Sequence, residues 1–258
     1  MSVDPRTLVV ALVQAASGLD PAANRDALSD LVPDGTDLVV LPEAFARDFG
    51  ESGSDVSAHA EETTGPFATT VAALARERGT TVVAGMFETS GDPGRPFNTL
   101  VARGGAQADY RKIHLYDSFG YRESDRLSPG ALHPVIIDVQ GFRVGLMTCY
   151  DLRFPEHGRA LVARGAEVLV VAAAWVAGPR KVDHWRTLLR ARAIENTVYV
   201  VAVGQPGPRY TGHSLVVDPW GEVVAEAGEG PEAVRATLRG ESLAEARRVN
   251  PSLLNRRL

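Results

Sequence analysis

Three polar residues stand at predicted strand exits in this 258-residue chain: Glu43 in "DLVVLPEAF", Lys112 in "ADYRKIHLYD" and Cys149 in "VGLMTCYDLRFPE". In α/β proteins, reactive groups gather where strands leave the sheet at their carboxyl ends. A thiol, a carboxylate and an ammonium supply the parts of nucleophilic attack on a carbonyl or nitrile carbon. The thiol needs a base or a positive neighbour to become thiolate. The carboxylate can be that base, and the ammonium can hold the anion that develops as sulfur attacks. Singly, each residue has a plainer reading. A lone cysteine is commonly a small buried hydrophobe, a glutamate after a strand a solvated loop charge, and a lysine in an amphipathic strand an exposed-face residue. The three together carry the chemistry.

Other residue types bear on the same question. Cys149 is the sole cysteine, which excludes an intramolecular disulfide and a cysteine-rich zinc site. Of 27 basic residues only Lys112 and Lys181 are lysine. Arginine cannot give up a proton whereas a buried lysine shifts readily, so a lysine kept in an arginine-rich chain is informative. None of the six histidines sits in papain-like local sequence, and His157 reads as a surface residue of a predicted helix. G-x-S-x-G, P-loop, G-x-G-x-x-G and H-E-x-x-H patterns are missing.

The elements that must position these residues are short. Apolar, β-branched runs read as strands: "TLVVALVQ", "DLVVLP", "TTVVAGMFE", "NTLVAR", "HPVIIDV", "FRVGLMTC", "EVLVVAAAW", "VYVVAVG", "HSLVVDP" and "GEVVAEA". Helical patterns lie between several of them. "DPAANRDALSDLV" opens with Asp20 as N-cap and Pro21 at the first helical position; "GPFATTVAALARERG" closes on Gly79 and "FPEHGRALVARG" on Gly165. Residues 97–112 and 212–238 read as hairpin-like, Asp48–Thr64 as a surface excursion, and "NPSLLNRRL" as too short for an element of its own. The pattern predicts α/β, with a mixed sheet or two stacked sheets covered by helices.

Composition narrows the partners. Hydrophobic residues make up 45% and charged residues 23%, as in soluble globular proteins. A formal charge of -5 gives no electrostatic case for nucleic acid or an anionic membrane. The N-terminus lacks the basic region of a signal peptide, and its apolar patch is too short to span a bilayer, so the cytoplasm is the expected compartment.

In this order and at these separations, "LPEAF", "YRKIHLYD" and "CYDLRFPE" resemble the three signature blocks of the nitrilase superfamily of carbon–nitrogen hydrolases. The resemblance continues through "TGPF", "VVAGMFE", "FNTLV", "ESDRLSPG", "HWRTLLRARAIENTVYVVAVG" and "GHSLVVDPWGEV", and so covers essentially the whole chain. It is nearest to the Nit-like amidases, among them omega-amidases and amidases of deaminated glutathione. The resemblance implies one domain over residues 1–258, folded as a four-layer α-β-β-α sandwich. It also implies a homodimer or larger assembly, with residues 250–258 as a candidate contacting tail.

By the same resemblance Cys149 is the nucleophile, at a helix N-terminus whose partial positive charge favours thiolate. Glu43 is the general base. Lys112 and the backbone N–H of Tyr150 hold the oxyanion, and Glu123 helps position substrate and Lys112. No metal or organic cofactor is implied. Asp151 and Arg153 are expected to pair with each other or with nearby backbone and so fix the nucleophile turn, and His114 to be a hydrogen-bonded support rather than a pocket residue. Trp175 walls the pocket or belongs to the core. Arg180 and Lys181 stand side by side ahead of a predicted helix, and one of them, Arg180 before Lys181, is the candidate for holding a substrate carboxylate, the alternative being two solvated loop cations. The implied activity is hydrolysis of a small non-peptide amide bearing a carboxylate, through a thioester and with release of ammonia. Nitrile and N-carbamoyl amino-acid hydrolysis, and a non-catalytic binding protein of the same fold, are the alternatives.

Overall fold

The computed structural model describes residues 4–51 and 53–257. The chain runs through β1 (Thr7–Gln14), α1 (Pro21–Asp26), α2 (Leu28–Leu31), β2 (Leu38–Val40), α3 (Pro66–Arg78), β3 (Thr81–Glu88), β4 (Phe97–Arg103) and β5 (Ala108–Arg111). A small hairpin, β6 (Asp117–Ser118) and β7 (Tyr121–Arg122), leads to β8 (Ile136–Val139), β9 (Phe142–Thr148), α4 (Pro155–Ala163), β10 (Val168–Ala173), α5 (Lys181–Asn196) and β11 (Tyr199–Gly204). The chain ends with β12 (Leu215–Val217), β13 (Val223–Glu226), β14 (Glu232–Arg239), α6 (Gly240–Val249) and α7 (Ser252–Asn255).

Two six-stranded sheets form, ordered β14-β1-β2-β3-β4-β5 and β13-β12-β11-β10-β9-β8. Their halves repeat one topology. The β1-β2-β3 and β9-β10-β11 runs are parallel, each followed by an antiparallel meander and flanked by one antiparallel edge strand.

Strand side chains alternate between faces, and here both faces are apolar. Leu8, Val10 and Leu12 of β1 join Val168, Val170 and Ala172 of β10 in a core between the sheets. Ala11 and Val13 instead pack outward with Val39, Val82, Phe67 and Val71 under α3. Leu169, Val171 and Ala173 pack outward with Leu161, Trp185 and Leu189 under α4 and α5. The layers are therefore helix, sheet, sheet, helix, as the family resemblance implied. Near-continuous apolar strands are what a sheet covered on both faces requires.

Several local readings need correction. Residues 212–238 are a hairpin only through β13; β14 crosses to the other sheet and pairs along all of β1, Thr7↔Arg239 to Gln14↔Glu232. The Asp48–Thr64 stretch is not a mere surface excursion, since Val56 and Phe49 pack with Phe87 and Leu127. The C-terminal residues form the single turn α7, whose Leu253 packs on the α4–α5 core while Leu254 stays exposed. Residue 258 of the expected contacting tail lies outside the described residues. Among the described residues no helix is long and apolar enough to cross a membrane.

Candidate active site

Glu43 follows β2 by three residues, where the chain turns sharply: Ala44 adopts a left-handed φ of 54°. The turn fits only because β3 carries Gly85 opposite it. A Cβ there would lie 2.4 Å from the Ala44 nitrogen. The Glu43 side chain is buried and fully engaged. Oε1 accepts hydrogen bonds from Asn98 Nδ2 at 2.7 Å and Lys112 Nζ at 2.9 Å, and Oε2 from the backbone N–H of Ala174 at 2.6 Å. Ala174 follows β10, so the second sheet orients a carboxylate carried by the first.

Lys112 leaves β5, its backbone held by Asn98 O at 2.8 Å and by Gly130 N at 2.8 Å. Its ammonium lies between two carboxylates, 2.9 Å from Glu43 Oε1 and 2.9 Å from Glu123 Oε2. Burial alone would push Lys112 down, but Glu123 and Glu43 hold it well above its ordinary value, so the ammonium persists. Glu123 is oriented in turn by the Tyr116 N–H at 2.6 Å. Burial raises its carboxyl, with Lys112 opposing.

Cys149 is the first residue past β9 and, with φ of 45°, takes a left-handed conformation. For a residue with a Cβ this stores about 1–3 kcal/mol of strain, a cost tolerated where a side chain must be aimed. Sulfur is presented by a 3₁₀ turn, Cys149–Arg153, and α4 begins only at Pro155. The expected lowering of the thiol by a helix N-terminus is not seen. Burial and the Glu43 carboxylate push the thiol well above its ordinary range, with Lys112 opposing. The thiol thus sits in surroundings that favour its protonated form, beside the Glu43 carboxylate.

These four residues form the floor of a cavity of about 580 Å³. Tyr150 and Trp175 line it too. Trp175 is both core and wall: 4% exposed, it donates from Nε1 to Lys181 O at 3.0 Å. Arg180 does not line the cavity. It is exposed with a left-handed φ of 63°, and the next residue, Lys181, turns inward instead. Lys181 Nζ lies 4.1 Å from the Phe119 ring centroid and donates to the Tyr116 hydroxyl at 3.2 Å. Arg153 leans over Trp175 at 4.8 Å. Burial and the neighbouring Arg153 lower Lys181. Among the described residues neither cation pairs with a carboxylate, and Arg153 Nε is buried without a partner. Sequence reasoning named the Arg180–Lys181 pair but preferred the wrong member as the one facing the cavity, and it did not read Arg153 as a cavity cation. Lys181's rarity was the available signal.

Asp151 and Arg153 do not pair with each other; of the two expectations, Asp151 meets the second and accepts from nearby backbone, the Thr148 N–H at 2.9 Å. Asp151 turns away from the cavity to Tyr110, His114 and Thr148, while Arg153 turns into it. His114 is the hydrogen-bonded support that was expected, with Nδ1 at 2.7 Å from Asp151 Oδ1. His157 is not a surface residue. It is 5% exposed, with Nε2 3.1 Å from the Tyr110 hydroxyl, because the first turn of α4 faces β5. Among the described residues no group of three or more His, Cys, Asp or Glu is arranged to hold a metal ion.

Comparison with known proteins agrees with this geometry. Residues 9–248 match the carbon–nitrogen hydrolase family model. The chain is 42% identical over 223 residues to the deaminated glutathione amidase of Escherichia coli O157:H7, covering 85% of this chain and 84% of the relative. It is also 42% identical over 261 residues to Hydrolase Rv0480c of Mycobacterium tuberculosis, covering 92% and 91%. A CN-hydrolase superfamily protein from Xanthomonas campestris, solved with an arsenic adduct in its active site, superposes with a TM-score of 0.87 at 32% identity, covering 98% of each chain. By fold, by the residues gathered at the cavity floor and by these likenesses, the chain belongs to the carbon–nitrogen hydrolase family.

Proposed function

We propose that this enzyme is an amidase that hydrolyses a small non-peptide amide bearing a carboxylate, through a thioester on Cys149. Glu43 takes the thiol proton as sulfur attacks the amide carbon. The oxyanion that forms is held by the Lys112 ammonium and the Tyr150 N–H. Protonated Glu43 then gives its proton to the departing nitrogen, the carbon–nitrogen bond breaks, and ammonia leaves. Glu43, again a carboxylate, takes a proton from water. The resulting hydroxide attacks the thioester, and collapse of the second oxyanion frees the acid and restores the thiol. Glu123 keeps the ammonium in place throughout.

The observation that carries the substrate reading is a set of cavity cations. Arg126, Arg153 and Lys181 line the cavity without a carboxylate of their own among the described residues, so an anionic end of the substrate completes them. The E. coli relative's name, deaminated glutathione amidase, agrees with this reading. A homodimer or larger assembly in the cytoplasm belongs to the same proposal, and light scattering at micromolar concentration tests the assembly.

The test of activity uses two amides of equal length, succinamate and butyramide. A charge-assisted contact of roughly 1.5–3 kcal/mol gives succinamate a kcat/KM about 10- to 150-fold higher. Equal values would remove the carboxylate from the proposal. Absence of an acyl adduct on Cys149 in rapid-quench mass spectrometry with a turned-over amide would remove the thioester.

A further inference from the structure

One carboxylate brackets both reactive residues. Asp151 is fully buried, two residues past Cys149. Its Oδ1 accepts the His114 backbone N–H at 3.1 Å and lies 2.7 Å from His114 Nδ1. Its Oδ2 accepts the Tyr110 hydroxyl at 2.6 Å and the Thr148 N–H at 2.9 Å. Tyr110 and His114 stand on either side of Lys112, and Thr148 and Asp151 on either side of Cys149. Lys112 hangs from the first sheet and Cys149 from the second. The carboxylate therefore grips both flanks of each segment across the junction of the two halves.

The neighbours tighten this grip. Tyr110 donates to Asp151, so His157 Nε2, 3.1 Å from the phenol oxygen, takes the donor role there. The Phe154 ring lies parallel to the His114 ring with centroids 3.8 Å apart. Burial alone would raise the Asp151 carboxyl, but the His114 and Tyr110 hydrogen bonds hold it below its ordinary value and so keep it an acceptor on every side.

We propose that Asp151 is a positioning residue that sets the Lys112 ammonium against the Cys149 sulfur, with Tyr110 and His114 as its grips on the lysine segment. The proposal rests on the amidase reading. It separates Asp151 from ordinary core polarity, because a displacement of about 1 Å at reacting groups costs on the order of 10²-fold in rate, whereas a merely structural hydrogen bond changes stability alone.

The test compares two tyrosines. Tyr110→Phe removes one grip and keeps the ring. Tyr199→Phe removes a partly buried hydroxyl bond to Arg239 O, at 3.2 Å, at the start of β11 and away from the cavity. Both variants should lose a few degrees of Tm. Only Tyr110→Phe should lose kcat on succinamate, by roughly 10- to 100-fold with KM within about twofold. Asp151→Asn, if it folds, should lose more. Alkylation of Cys149 by iodoacetamide at neutral pH needs no substrate and should slow at least about threefold in Tyr110→Phe alone, as Lys112 shifts away from sulfur. Active wild type with unchanged kcat and alkylation in Tyr110→Phe would overturn the bracket. Wild type inactive on every amide would overturn the amidase reading, and the alkylation comparison would then decide the bracket by itself.

Discussion

The floor and the mouth of the cavity handle charge in opposite ways. At the floor Glu43, Lys112 and Glu123 are all nearly sealed from solvent, and each meets a fixed partner within 3.1 Å. At the mouth Arg153 and Lys181 are only partly buried, lie over aromatic rings and have no carboxylate. A buried ion cluster with fixed geometry needs no reorganisation when charge develops on a substrate oxygen. Cations whose partners are neutral keep their capacity to bind an anion that arrives. The floor therefore sets the reaction, and the mouth selects what reaches it.

Substitutions can break that contrast, starting at the floor. Cys149→Ala should lower kcat by on the order of 10⁶-fold, as loss of a nucleophile does, while circular dichroism and Tm stay close to wild type. Substantial turnover in this variant would end the thioester mechanism. Glu43→Gln should cost roughly 10²–10⁴-fold in kcat, and it carries a pH signature. The Glu43 carboxylate holds the thiol up, so removing its charge should move the thiol's titration to lower pH, read by iodoacetamide alkylation against pH. More thiolate at neutral pH with less turnover would separate Glu43's role as base from any role in thiolate supply. An upward shift would contradict the electrostatics described here.

Lys112→Arg should cost ~10²–10³-fold in kcat. A planar guanidinium cannot sit between two carboxylates and also reach the oxyanion from the same point. A variant within about threefold of wild type would contradict the oxyanion role.

The mouth should respond more weakly and selectively. Arg153→Ala or Lys181→Ala should lower kcat/KM for succinamate by about 10- to 150-fold and leave butyramide nearly unchanged. Equal losses on both amides would assign the cations to the cavity's shape rather than to a carboxylate. Arg180→Ala should lie within about twofold on either substrate, because an exposed charge away from the site contributes little. A large substrate-selective loss there would return the clamp to its neighbour.

The sequence was most informative where chemistry and strand ends coincide. Glu43 and Cys149 follow apolar strands and Lys112 the amphipathic β5, so their approach could be read from strand exits and from the family blocks. Arg180 and Lys181 show where reading stops. They are adjacent and both cationic, and only the left-handed turn at Arg180 decides that Lys181 faces the cavity. His157 was misread because its burial depends on Tyr110, 47 residues earlier. The strand β14 escaped notice because "EAVRATLR" exposes five of its eight residues, as an edge strand does, and its partner lies at the other end of the chain. Long-range pairing, not local propensity, makes it a strand.

That pairing has a consequence for how the protein is made. A ribosome releases β1 more than two hundred residues before β14. Until Arg239 emerges, the whole eight-residue outer edge of β1 has open hydrogen-bonding groups beside an apolar face. Glu43, Lys112 and Cys149 have by then all been synthesised. A nascent or truncated chain ending before Glu232 would therefore hold every reactive side chain and still present an unpaired strand to its neighbours, the usual starting point for edge-to-edge aggregation. In this fold the last strand covers the edge that the first leaves open.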